Sequence, residues 1–392
     1  MSDRTLPRRD EAADPHAAGP AGPPGLTDTE EHDLEEEMPR VAFTPRRLVA
    51  FALFIVLSVA FLYVVLPQLA GLDETWNRLN DGDPWWLGAA LAFAVLTFLG
   101  YVLLFRGVFA GEGPRIGFAA SYQITMAGLA ATRLFAAGGA GGLILMAWAL
   151  RRSGMRRRRV ADLTLAFLVL TYGVYMGALV VVGLGLYWGV LRGPEPFAIT
   201  VVPAIFGATV IVLALALSAV PPDLQRRLER RAQRGGRFDR TAQRLANLPA
   251  AFSAGTREAA RHVRGSDPAV LGAFLYWAAQ IAILWAAFRA FGQAPPGAVI
   301  VMCFFVGMVG NLLPLPAGIG GVDGATIGAF AAFGVDVDLA IVAVLTYRAF
   351  AFYLPTIPGA IAYFQLRRTV GRWREERRTE LAGAAPAARP AG

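Results

Sequence analysis

The feature that most constrains this chain is an apolar run from Leu48 to Leu66 that contains no charged residue. Its 19 residues come close to the ~20 that an α-helix needs to cross the hydrocarbon core of a bilayer. Five comparable runs follow, at 85–105, 160–191, 197–220, 269–288 and 339–366. The sequence therefore predicts an all-α polytopic membrane protein with six full transmembrane helices.

The charged residues agree with a membrane location. Only 17% of the chain is charged, against roughly a quarter in soluble domains. All 37 basic residues are arginine, and they cluster at the ends of the apolar runs, where positive charge orients a membrane protein. We therefore expect membrane lipids as partners and no nucleic acid.

The sequence contains no recognisable catalytic or cofactor-binding pattern. Its single cysteine, Cys303, excludes an internal disulfide. The three histidines lie outside the apolar runs, which disfavours a metal centre, and no phosphate-binding loop or dinucleotide fingerprint is present. We expect neither a cofactor, nor a metal, nor enzymatic activity.

Arginine counts predict the orientation. Arg46 and Arg47 precede the first run, six arginines lie within 151–159, and eleven lie in the stretch that follows Val220. These segments should be cytoplasmic, whereas the loop 68–84, with four acids and one arginine, should lie outside. We expect both termini on the cytoplasmic side of the inner or plasma membrane.

The ends of the chain are predicted to be tails. Residues 1–45 lack a cleavable signal and should form a disordered cytoplasmic tail, so that the first run itself directs insertion. Residues 369–392 should form a C-terminal cytoplasmic tail, disordered after Thr379. The transmembrane domain would then comprise 46–368.

Two further segments should form broken hairpins, because each begins and ends on one side of the membrane: 116–150 inside and 297–337 outside. Glycines mark the first break, Gly138, Gly139, Gly141 and Gly142. An offset of 180 residues aligns the two segments, pairing Gly138 with Gly318 and Gly154 with Gly334. We therefore expect an inverted repeat, with units at about 85–191 and 268–366, a connecting helix at 197–220 and a basic cytoplasmic loop at 221–267. Transporters of this kind bind substrate at interrupted helices.

The richest stretch, 311–324, reads NLLPLPAGIGGVDG. Its prolines and glycines free backbone polar groups, which survive at membrane depth only in protein or beside a polar cavity. The alternative is a kinked packing helix that uses small residues for close contact. The helix-breaking positions of this stretch are Pro314, Pro316, Gly318, Gly320 and Gly321.

Charged residues within the apolar stretches are the candidate ligands. Asp323, Arg133 and Arg348 each lie in such a stretch, where a charge costs roughly 2.5–3.5 kcal/mol. With Asn311 and Tyr347 they form the candidate substrate-binding set, suited to an anionic lipid headgroup, with Asp323 positioning the arginine or coupling protons. A purely structural Asp323–Arg348 ion pair is the alternative. Gln123 and Gln280 could add hydrogen bonds.

The segment 223–264 has leucines spaced between arginines. It is predicted either as an amphipathic helix on anionic lipid or as a solvated loop.

The pairing of the Gly-rich break with LPLPAGIGGVDG, LTYRAF and LPTIPGAIAYF resembles the transmembrane region of the lysylphosphatidylglycerol synthase family, also called flippase-like. The resemblance covers about 45–368 and is most specific within 311–360. It implies an association with moving aminoacylated phospholipids across the bilayer. The short stretch after the last run leaves no place for the soluble aminoacyl-transferase domain, so lysyl transfer is not expected. The first unit also departs from the second, with Leu143 where the offset places Asp323.

The resemblance implies a set of pocket and scaffold residues without catalytic steps: Pro314, Pro316, Gly318, Gly320, Gly321, Asp323, Tyr347, Arg348 and Pro355. We expect a protein that binds and translocates a phospholipid or a lipid-linked anion. A secondary transporter of a small anion, or a non-transporting membrane partner of a glycosyl- or acyltransferase, are the alternatives.

Overall fold

A computed structural model of the chain describes residues 81–111, 115–134, 140–218, 239–265, 267–312 and 320–384. All regular secondary structure in these ranges is helical. The predicted first span, 48–66, lies outside them. The described residues up to Gly371 belong to one compact unit, and the described end of the last helix, from Arg372, belongs to a second.

The described ranges contain eleven α-helices. They are α1 (Pro84–Phe109), α2 (Phe118–Leu134), α3 (Ala140–Arg152), α4 (Arg157–Tyr187), α5 (Phe197–Ser218), α6 (Asp239–Arg264), α7 (Pro268–Phe291), α8 (Gly297–Gly307), α9 (Gly321–Ala332), α10 (Val337–Arg348) and α11 (Thr356–Ala384). A 3₁₀ turn, Met308–Leu312, extends α8, and a π turn, Ala349–Tyr353, joins α10 to α11.

Five described segments are long and apolar enough to cross a membrane. They are α1, α4, α5, α7 and the continuous stretch Val337–Glu380 that α10, the π turn and α11 form together. Each coincides with a predicted apolar run. The last run, predicted as a single span, is divided by the π turn.

α1 and α7 begin in the same way. Asp83 accepts a hydrogen bond from the backbone N–H of Trp85, and Asp267 accepts one from Ala269, each at 2.9 Å. A proline follows each aspartate at the first helical position, where its missing N–H has no partner to lose. An Asp-Pro pair therefore sets both helix starts.

α1 and α7 form an antiparallel pair with a seam of small residues. A Cβ added to Gly100 would lie 2.6 Å from the backbone N of Tyr276, and one on Gly107 would lie 2.5 Å from that of Ala269. On the other helix, a Cβ on Gly272 would overlap the backbone of Leu104. Small residues allow such close backbone approach between helices in lipid, where van der Waals packing drives association.

Two helical hairpins occupy the predicted segments. In the first, α2 and α3 come into close contact at Gly128 and Gly142; in the second, the 3₁₀ turn and α9 do so at Gly310 and Gly321. None of their α-helices exceeds 17 residues, which is short of the ~20 needed to span the hydrocarbon core. The connections themselves, 135–139 and 313–319, lie outside the described residues.

The two hairpins end in the same turn, 180 residues apart. Gly154 donates to the carbonyl of Arg151 and Met155 donates to Leu150, at 3.0 and 3.3 Å. Gly334 donates to Ala331 and Val335 donates to Phe330, at 2.9 and 3.0 Å. Both glycines have positive φ, 103° and 77°, as expected for a helix that ends in the left-handed region.

The first helix of each hairpin packs on a long helix of the other half of the chain. Gly359 of α11 meets Ala130 of α2, and Thr369 donates to the Gln123 side chain at 2.8 Å. In the same manner, Tyr175 of α4 donates to the carbonyl of Phe305 of α8 at 2.8 Å. The halves are therefore interleaved rather than side by side.

The basic segment after α5 contains a helix that docks on the protein. Gly255 of α6 fits against Leu165 of α4. Glu258 is buried and pairs with Arg159 of α4 at 3.0 Å and with Arg261. The prediction of a solvated loop is therefore wrong for 239–264, and the contact with α4 accounts for part of this helix's amphipathic pattern.

At the other end of the chain, α11 continues to Ala384, so the disorder predicted after Thr379 does not hold for 380–384.

Candidate functional site

A buried ion pair joins α9 to the end of α10. The Arg348 Nε–H donates to Asp323 Oδ1, and the backbone N–H of Gly320 donates to Asp323 Oδ2 at 3.1 Å. Asp323 is 4% exposed and Arg348 is 5% exposed. Both carboxylate oxygens are thus engaged, and a charge of each sign is held away from solvent.

The Gly-Gly-Val-Asp sequence positions the carboxylate. Gly320 precedes α9 with φ of 81°, a conformation that glycine adopts without steric strain. Asp323 then occupies the third helical position, from which its side chain reaches back to the Gly320 N–H. A carboxylate here is also stabilised by the positive end of the α9 dipole.

A π turn follows Arg348 directly. Leu354 donates to the carbonyl of Ala349 at 3.0 Å, a five-residue spacing that replaces the usual four. Pro355, after Leu354, has no N–H to donate, and a proline ring clashes with the carbonyl four residues back in a regular α-helix. The chain therefore widens before Pro355, and α11 begins at Thr356.

An aromatic ring lies against the arginine of the pair. The ring of Phe352 lies 5.0 Å from the Arg348 Cζ, within the range of a cation–π contact. The Tyr353 hydroxyl is buried and has no hydrogen-bond partner among the described residues. The centroid of the Tyr353 ring lies 5.4 Å from that of the Phe352 ring.

Tyr347 faces a polar group on α7. Its hydroxyl donates to Gln280 Oε1 at 3.0 Å, and Gln280 Nε2 donates to the Tyr276 hydroxyl at 3.2 Å. This hydrogen-bond chain ties α10 to α7 next to the ion pair. Tyr347 thus has a positioning contact in addition to its predicted role as a ligand.

The structure brings together only part of the predicted set. Asp323 and Arg348 are in contact, and Tyr347 precedes Arg348 with its hydroxyl on Gln280. The side chains of Arg133 and Asn311 lie outside the described residues, as do Gly138, Pro314, Pro316 and Gly318. Gly141 is the second residue of α3, Gly321 is the first of α9, and Pro355 lies between the π turn and α11.

Tyr353 is the residue that sequence reasoning missed. In a regular α-helix a residue five positions after Arg348 points about 140° away from it, so helical periodicity separates the two. Pro355 is the sequence feature that could have pointed to Tyr353, because a proline inside an apolar span indicates irregular backbone in the preceding turn.

The arrangement contains hydrogen-bond donors of the kind that an anion can accept from. Guanidinium and phenol groups donate hydrogen bonds, and the guanidinium plane matches two oxygens of a phosphate. Among the described residues, no group of three or more His, Cys, Asp or Glu side chains could hold a metal ion.

Interleaved spans, two short hairpins and a buried ion pair at the start of α9 define a polytopic α-helical membrane protein with a charged site inside its apolar body. The chain belongs to the family described as the lysylphosphatidylglycerol synthase TM region, whose profile matches residues 48–359. The resemblance drawn from the LPLPAGIGGVDG and LTYRAF stretches is thereby confirmed.

A relative with a shorter match is a UPF0104 membrane protein of Methanothermobacter thermautotrophicus. It is 33% identical over 97 residues, which cover 24% of this chain and 28% of that protein. The matched part therefore spans less than a third of the relative's length.

Proposed function

We propose that this protein binds a phospholipid or a lipid-linked anion at the Asp323–Arg348 pair and moves it across the membrane. The observation that carries the proposal is the pair itself, buried at the start of α9 beside the break in the second hairpin. Ionisable groups at membrane depth mark substrate or ion pathways by default. We infer that Arg348 binds the phosphate and that Asp323 holds the guanidinium in place.

An inverted repeat supports translocation. α1 and α7 run antiparallel, and the hairpins end in the same hydrogen-bonded turn at Gly154 and Gly334. Two halves of opposite orientation are the architecture in which one half rocks against the other around a central site. Only the second half carries the acid, since Leu143 is the residue that corresponds to Asp323 at the offset of 180. A single charged site would therefore bind the substrate both when the protein is open to one side of the membrane and when it is open to the other.

Lipid access is supported by the connecting helix. α5 is apolar along its length, and only 17% of its most apolar window is buried within the protein. A helix with this exposure faces acyl chains. A substrate with acyl chains could therefore approach from the bilayer while its phosphate enters the polar site.

The experiment is transbilayer movement of a fluorescent anionic phospholipid in proteoliposomes. D323N/R348Q removes both charges together, so that no buried charge is left unpaired. We expect this variant to fold but to lose the movement. A matched control is R159Q/E258Q, which neutralises the ion pair between α4 and α6 and should leave the movement intact.

Each of the other outcomes is informative. Undiminished movement in folded D323N/R348Q would contradict the site. Thermal protection by soluble phosphate but not by anionic lipid would favour a transporter of small anions, since a ligand stabilises only the fold that binds it. Co-purification with a glycosyl- or acyltransferase, without any movement, would favour a membrane partner.

A further inference from the structure

We infer that the hydroxyl of Tyr353 is a third ligand of the anion site, donating a hydrogen bond to a phosphate oxygen that Arg348 holds. This inference rests on the proposed function and adds to it a residue that determines affinity. Three features of the described residues carry it: an unpartnered hydroxyl, the π turn and the charges nearby.

The hydroxyl is the first feature. Its oxygen is buried and has no hydrogen-bond partner among the described residues. A buried donor without a partner is destabilising, and native proteins rarely keep one unless water or a ligand completes it. Tyr175 shows the usual case in the same protein, because its hydroxyl donates to the carbonyl of Phe305 at 2.8 Å.

The π turn is the second feature. Its hydrogen bond from Leu354 to Ala349 spans five residues, so residues five apart lie closer to the same side of the axis than they do in an α-helix. Arg348 and Tyr353 have this spacing. The wider turn reduces the angle of about 140° that a regular α-helix would place between them, and π turns within α-helices are frequent at functional sites.

The nearby charges are the third feature, and they select the ligand. Tyr353 packs against Phe352, with ring centroids 5.4 Å apart, and the Phe352 ring lies 5.0 Å from the Arg348 Cζ. Both Asp323 oxygens already accept hydrogen bonds, from Gly320 and Arg348. What the site still offers is therefore the Tyr353 donor beside a guanidinium, and a group that only accepts hydrogen bonds, such as a phosphate monoester or diester, complements it.

The test is Tyr353→Phe, which removes the hydroxyl and keeps the ring. Purified protein in detergent is titrated with a short-chain phosphatidylglycerol, with inorganic phosphate and with a short-chain phosphatidylcholine, and its thermal unfolding is recorded without ligand. We expect Y353F to unfold at the same or a higher temperature, because an unsatisfied group is gone. We expect it to bind phosphatidylglycerol about ten-fold more weakly, through loss of one charge-assisted hydrogen bond.

Tyr175→Phe is the matched control. It also removes one phenol oxygen, but one whose hydrogen bond joins α4 to α8. Y175F should therefore unfold at a lower temperature and bind phosphatidylglycerol with unchanged affinity. Y353F is therefore expected to lose affinity without losing stability, and Y175F is expected to lose stability without losing affinity.

The outcomes separate this inference from the proposed function. Equal affinity in Y353F and wild type, with binding lost in R348Q, would overturn the role of Tyr353 and leave the proposed site intact. A joint fall in stability and affinity in Y353F would also overturn it, since that is the behaviour of a structural hydroxyl. If wild type binds none of the three compounds, the proposed function itself fails. Ten-fold weaker binding of inorganic phosphate alone would support the Tyr353 contact and identify a free anion as its source.

Discussion

The carboxylate of Asp323 and the guanidinium of Arg348 contact each other from two different helices, and both side chains are almost fully buried. Two charges in this environment stabilise the protein only as a pair. Removing one partner leaves the other uncompensated, whereas removing both restores neutrality.

We therefore expect strongly non-additive effects at these two positions. D323N should lower the free energy of unfolding by about 3–5 kcal/mol, because it leaves a buried guanidinium unpaired. R348Q should cost less, since an isolated carboxyl can take up a proton. D323N/R348Q should be more stable than the sum of the single effects predicts, as measured by denaturation in detergent. Additive effects would contradict the contact.

The glycine seam between α1 and α7 should tolerate no side chain. Gly272→Ala would place a methyl group in the backbone of Leu104, and overpacking of this kind costs about 1–3 kcal/mol. Gly88→Ala is the control on the same helix pair, because no atom lies within 4 Å of its added Cβ. Thermal unfolding of both variants should give a lower melting temperature for Gly272→Ala than for Gly88→Ala. Equal melting temperatures would argue against the close crossing.

The turns after the two hairpins should respond alike. Gly154→Ala and Gly334→Ala each force an L-residue into positive φ, at a cost of roughly 1–2 kcal/mol. Gly173→Ala, in open space on the α4 surface, should be neutral or slightly stabilising because alanine favours helix. A large loss at only one of the two turns would weaken the case for a structural repeat.

The orientation can be tested with single cysteines. Cys303 is fully buried, so the native protein should resist a membrane-impermeant thiol reagent, and Cys303→Ala provides a cysteine-free background. In that background, Arg156→Cys before α4 should be labelled from the cytoplasmic side only. Val190→Cys, 77% exposed after α4, should be labelled only from outside. The reverse pattern would invert the topology.

Sequence reasoning reached the spans because the signal for a span is local. Apolar runs such as 197–220 and 269–288 report on length and hydrophobicity alone, and both coincide with described helices, α5 and α7. The candidate pair was also within reach, since charges inside apolar runs are few and therefore conspicuous. The sequence offered Asp323 with Arg348 as one plausible pair, and the assembled helices place the two side chains in contact.

Other features were out of reach because they depend on neighbours distant in the sequence. Helical periodicity separated Tyr353 from Arg348, and the π turn before Pro355, which the sequence did not specify, reduces that separation. Likewise, arginine spacing described 223–264 as a surface segment. The burial of Glu258 against Arg159 follows from the docking of α6 on α4.

The sequence by itself determined that this chain is a helical membrane protein, where most of its spans lie and to which family it belongs. These properties follow from the length of the continuous apolar runs and from the motif around Asp323. Each of these signals lies within a single segment of the sequence. Only the tertiary structure decided that α1 and α7 cross at Gly272, that each hairpin packs on the opposite half, and that Phe352, with Tyr353 packed against it, lies at Arg348. Those relationships arise from close backbone approach and buried hydrogen bonds between segments far apart in the chain, and no single segment specifies them.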